Sequence, residues 1–134
     1  MDATPSHQIL ELEAFLERNG LVCQRREGPD PNSFGNRVVQ YGNSDIGVRL
    51  VLDRGIWSVA VADLVGRRGD WYDTAILRDL LFGTSGKALS LADKIQLIEE
   101  NWFEIVARFR SDRRDKTHGE LAALRKERVS HRPR

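Results

Sequence analysis

The chain has 134 residues, 40% hydrophobic and 31% charged, with a formal net charge of +1. That length and balance exclude a disordered chain and fit one globular domain able to bury a core without disulfides or metals. No apolar stretch approaches the roughly 20 residues needed to cross a bilayer, no basic flank and apolar run follow Met1, and the lone Cys23 has no internal disulfide partner, so a reducing cytoplasm is the expected location.

In chain order, Thr4-Pro5 reads as a helix start, a capping hydroxyl followed by a proline at the first helical position. Ile9, Leu12 and Leu16 then form an apolar stripe that Leu10 and Phe15 widen. Glu11, Glu13, Glu17 and Arg18 are expected to face away, and Gly20 suits the stop, so a helix is predicted over about 5–19. Leu21–Arg26 alternates weakly as a first strand. Gly28-Pro29-Asp30-Pro31-Asn32 forbids regular structure.

From Asn36 the pattern turns to strands. Arg37–Tyr41 is rich in β formers, and Gly42-Asn43-Ser44-Asp45 is a turn. Ile46, Val48, Leu50 and Leu52 alternate with Gly47, Arg49, Val51 and Asp53, as a half-buried strand does. Asp53-Arg54-Gly55 is a tight connection. Ile56–Ala62 follows with Trp57, Val59 and Val61 on one face, which makes a hairpin over 46–62.

Val65–Gly69 is a basic, glycine-bearing loop. Asp70 or Asp73 can cap a helix carrying Ile76, Leu77, Leu80 and Leu81, which Gly83 ends. Ser90 with Asp93 resembles a capping box. It opens a seam of Leu91, Ile95, Ile98, Trp102, Ile105 and Phe109 at spacings of four and three, which predicts one long helix over about 90–110 packed on the sheet. Beyond it the chain turns basic. Residues 110–134 carry nine Lys or Arg against four acids, a net of +5, which leaves −4 for residues 1–109. Glu120–Val129 can make a further helical segment if it docks.

The motifs that would carry chemistry do not form. Gly83-Thr84-Ser85-Gly86-Lys87-Ala88 has Leu81 where a phosphate loop needs glycine and Ala88 where it needs Ser or Thr. His7, His118, His131 and Cys23 have no metal-ligand spacing. Asp45, Asp53 and Asp63 sit at strand ends, where turns use Asp as readily as catalysis does. No catalytic residue, metal or cofactor is therefore assigned. Trp57 and Trp102 fall on apolar faces and are expected in the core.

Trp71-Tyr72 beside Arg67 and Arg68 is different, because aromatics with arginine are the residue types of binding hot spots. The candidate interaction surface is Arg67, Arg68, Trp71 and Tyr72, joined by Arg49 from the outward strand face. The competing reading is that Trp71 and Tyr72 cover the core at the helix start.

The order helix, antiparallel strands, two helices, with Asp53-Arg54-Gly55-Ile56-Trp57, then Trp71-Tyr72-Asp73, Leu77-x-x-Leu80-Leu81-x-Gly83 and Trp102, resembles small uncharacterised bacterial α+β proteins. Some of these are encoded beside secreted toxins as immunity proteins. The resemblance covers roughly residues 8–109 and carries over no functional residue. It implies a cytoplasmic, non-enzymatic protein whose partner is another protein, such as a cognate toxin.

The expected architecture is a single α+β domain over 1–110, with helices on one face of an antiparallel sheet of about four strands, and a charged, basic tail over 111–134. The alternative function is a small nucleic-acid-associated or regulatory protein acting through that tail. It is disfavoured because the tail lacks interleaved aromatics and four acids dilute it.

Overall fold

The computed structural model describes residues 4–28, 35–65, 70–83, 88–110 and 112–130, with backbone alone for 127–130. The elements run α1 (Pro5–Arg18), β1 (Val22–Glu27), β2 (Arg37–Gly42), β3 (Ile46–Asp53), β4 (Ile56–Asp63), β5 (Trp71–Asp73), α2 (Thr74–Phe82), α3 (Leu91–Glu100), α4 (Trp102–Arg108) and α5 (Arg114–Ser130). The fold is α+β, as expected. The sheet is antiparallel in the order β1-β2-β3-β4-β5, five strands instead of about four. The extra strand is Trp71–Asp73, which sequence patterning assigns to a loop and helix start. Three residues are too few to show a period of two.

Strand register divides the sheet into two faces. Tyr41, Val48, Val61 and Tyr72 stand in one row across β2 to β5, with Val39, Leu50 and Val59 in the next. All seven are buried, and the five described helices pack over them. Burying each large apolar side chain in this layer contributes about 1.5–3 kcal/mol to folding. The opposite face carries Val38, Val51 and Ser58 in one row and Gln40, Arg49, Ala60 and Asp73 in another. Gly47, Ala62 and Trp71 form a third.

The caps read from sequence are formed. Thr4 Oγ1 accepts from the His7 amide at 3.2 Å, Asp73 Oδ1 from Ile76 at 3.0 Å and Ser90 Oγ from Asp93 at 3.1 Å. Gly83 ends α2 in the left-handed region at φ 67°. Glu13, expected to face away, is instead buried. It accepts from Tyr41 Oη at 2.9 Å and pairs with Arg26. Burial, then Glu13 and Glu17, push the Tyr41 hydroxyl pKa up, so the phenol stays a donor.

The seam over 91–109 enters the core as predicted, with Trp102 edge-on to Phe15 at 6.0 Å. It is carried by two helices, not one. Asn101 breaks them with φ −115° and ψ 17°, and its side-chain amide donates to the Leu97 carbonyl at 3.0 Å. Asparagine competes for helix carbonyls in this way, and the spacing of apolar residues does not register it. After Phe109 the chain continues into α5. Its Thr117, His118 and Leu121 are buried, so the first half of this basic segment docks on the domain.

Candidate interaction surface

The helix-free face of the sheet centres on β3. Gly47 lies under the Trp71 ring: a Cβ there would stand 3.0 Å from Trp71 Cη2 and 3.3 Å from the Leu64 methyls. The absent side chain therefore lets the indole close down on the strand. The Arg49 guanidinium stacks above this ring, 4.0 Å from its centroid. Arg49 also donates from Nη2 to Gln40 Oε1 at 3.1 Å, and Gln40 Nε2 donates to Gln24 Oε1 at 2.9 Å. Two independent contacts thus fix the orientation of the guanidinium. Burial, then the charge of Arg25, pull the Arg49 pKa below the ordinary arginine value. Among the described residues no carboxylate lies within ion-pair distance of Arg49.

Of the five residues singled out from sequence, the structure brings Arg49 and Trp71 together. It separates Tyr72 from them. Successive strand residues point to opposite faces, so once 71–73 pairs with β4, Trp71 goes to the open face and Tyr72 to the core. Tyr72 is 3% exposed and stacks on Phe109. It cannot be an exposed anchor, and the reading of it as core is the one that fits. Arg67 and Arg68 lie outside the described residues, as do Thr84–Lys87 of the glycine-rich loop.

Tyr72 belongs to a buried polar cluster that sequence reasoning missed. Its hydroxyl is 2.9 Å from His118 Nδ1, and His118 Nε2 is 2.9 Å from Asp63 Oδ2. Because an ionised carboxylate only accepts, Nε2 carries the proton that faces Asp63. In the neutral ring, Nδ1 then accepts from Tyr72. Arg114 Nε stands 2.7 Å from the same Asp63 oxygen, an ion pair, not an aligned hydrogen bond. The Val65 amide donates to the other oxygen at 3.0 Å. Burial opposes the charge on Asp63, but the His118 and Val65 hydrogen bonds and the Arg114 charge outweigh it, and hold its pKa below the usual carboxylate value. Arg125 completes the junction, donating to the Trp71 carbonyl at 2.9 Å with its guanidinium 4.7 Å from the Tyr72 ring centroid.

This cluster has the residue types of acid–base chemistry but is enclosed. His118 is 4% exposed and the Asp63 side chain 0%. What it does is hold α5 against the ends of β4 and β5. No group of three His, Cys, Asp or Glu that could hold a metal stands among the described residues. Cys23 is exposed on the edge strand β1. No described helix is long and apolar enough to cross a membrane. No family model, curated protein or solved structure matches the chain.

Proposed function

We propose that this chain is a non-enzymatic cytoplasmic protein of the immunity type, which acts by binding another protein across the open face of its sheet. The observation that carries the reading is the Arg49 guanidinium stacked at 4.0 Å on a partly exposed Trp71, on a face that no described helix covers. Trp and Arg dominate binding energies where they sit in rigid, partly desolvated settings. Here Gly47 and Gln40 provide that rigidity before any partner arrives. Apolar Val38, Val51 and Ile56 share the face, and Ile56 is 69% exposed.

The resemblance to immunity proteins supplies the kind of partner: a secreted toxin encoded beside this chain. Titration of the purified chain with that toxin by calorimetry should give saturable binding. Trp71→Ala should weaken it by about 30-fold or more, the scale of a hot-spot residue, at an unchanged unfolding midpoint. Absence of a toxin gene among the neighbours would remove the immunity part of the reading. Toxin binding indifferent to Trp71→Ala would remove the assigned face.

The nucleic-acid alternative loses support from α5. Arg114 is engaged with Asp63 and Arg125 with the Trp71 carbonyl. Cations committed in this way leave less charge to neutralise phosphates.

A further inference from the structure

We infer that the partner of the open sheet face presents a carboxylate, from an aspartate or glutamate flanked by apolar side chains, which pairs with the Arg49 guanidinium above Trp71. The inference rests on the protein-binding reading and gives it a chemistry.

Arg49 sits at the centre of the face, in the row Gln40, Arg49, Ala60. Two strands away on either side in that row stand Arg25, whose own charge is met by Glu27 at 2.7 Å, and Asp73, whose Oδ1 caps α2 by accepting from the Ile76 amide at 3.0 Å. The guanidinium has five donors in a planar fork. Gln40 takes part of that capacity, and no described carboxylate takes the rest. One side of the plane is occupied by the indole, so a partner's carboxylate would approach along the guanidinium edge, where a fork-to-fork pair forms. Val51 and Val38 stand in the adjoining row, apolar and half-buried, and would receive the side chains that flank the acid.

Five strands of three to eight residues, at about 4.8 by 3.4 Å per residue, give a face of roughly 500 Å². That is below the roughly 800 Å² per partner of an ordinary specific interface, so a folded partner would also contact the rim.

A phosphate would also satisfy Arg49, but the same face argues against a polynucleotide. Trp71 is the only aromatic ring on the described part of it, where base stacking uses several.

The test is selection of a random peptide library displayed on phage against the immobilised full chain, followed by anisotropy titration of enriched peptides. A 20-nucleotide single strand of thymidine serves as the second probe. The expected result is enrichment of Asp or Glu beside apolar residues. Affinity for such a peptide should fall at least tenfold in Arg49→Gln at unchanged unfolding midpoint, and Arg49→Glu should shift the selection toward Lys and Arg. If Arg49→Glu does not fold, Arg49→Gln alone decides. Enrichment without acids, acidic peptides held equally by Arg49→Gln, or no enrichment overturns the inference. Binding of the oligonucleotide lost in Arg49→Gln, with acidic peptides unbound, assigns the face to phosphate instead. In each of these failures the protein-binding reading is judged separately, by whether the toxin titration depends on Trp71.

Discussion

His118 Nε2 lies 2.9 Å from Asp63 Oδ2 across 55 residues of chain, and both side chains are enclosed. This pair fastens the last helix to the sheet. The basic segment, read from sequence as a charged tail with a helical stretch over Glu120–Val129 if it docks, carries a helix from Arg114 whose first half is docked. Truncating His118→Ala would leave Tyr72 Oη and an Asp63 oxygen without their ring partner. Removing one partner of a buried hydrogen bond costs about 1–3 kcal/mol. Urea unfolding should show a loss of this order, and amide exchange over 114–126 should speed up more than exchange in β3. Equal acceleration in both would mean that α5 has no separate dock.

The same junction sets an acid limit on stability. The Asp63 pKa is depressed from its ordinary 3.8. A depressed carboxyl contributes stability that is present above the unfolded value and is lost as pH falls through the folded one. Protection of α5 should therefore hold from neutral pH to about pH 4 and decline below that. Asp63→Asn cannot titrate, so its exchange in α5 should be faster at neutral pH and lose this acid-driven component. An acid limb of undiminished size in that variant would assign it to other carboxylates.

How far the fold was legible follows from the range of each signal. The first helix, the hairpin, the stop at Gly83 and the seam ending at Phe109 all arise from residues within a few positions of one another, and periodicity finds them. Glu13 escaped because its partner Tyr41 is 28 residues on, and a glutamate inside an amphipathic pattern reads as solvated. Asp63 and His118 escaped for the same reason at twice the range. The surface was half legible. Arg49 and Trp71 were grouped by residue type and do meet. Tyr72 was grouped with them only because a three-residue strand, which sends neighbours to opposite faces, was read as a loop.

Trp102 tests the core. It is 4% exposed and meets Phe15 edge-on at 87°. Truncation of a buried tryptophan costs about 3–5 kcal/mol, a large part of the stability of a domain this size. Trp102→Ala should shift the urea midpoint far down or prevent folding. An unchanged midpoint would mean that the helical layer is not anchored at this ring.

Arg54 offers the opposite sign. It has φ 51°, beside Gly55 at φ 79°, so the β3–β4 turn places both central residues in the left-handed region. A residue with a long side chain is uncommon there, and Asn-Gly is the favoured pair. Arg54→Asn should raise stability by about 0.5–1 kcal/mol, seen as a higher urea midpoint with an unchanged slope. A lower midpoint would show that Arg54 makes a compensating interaction in the turn.

Gly47→Ala probes the open face without altering its charge. The new methyl would stand 3.0 Å from Trp71 Cη2 and 3.3 Å from Leu64, tighter than an ordinary contact, so the indole must lift or the methyl must strain the strand. The ring is the freer of the two, because β5 is a short edge strand and the face above it is open. Lifting the ring carries it away from its contact with Arg49. The expected result is a small stability loss, about 1 kcal/mol, and a changed Trp71 indole N–H resonance. Weakened partner binding should accompany it, since binding draws on the pre-set stack. If the indole resonance moves and binding does not, the stack is a feature of the free chain and not the surface that the partner reads.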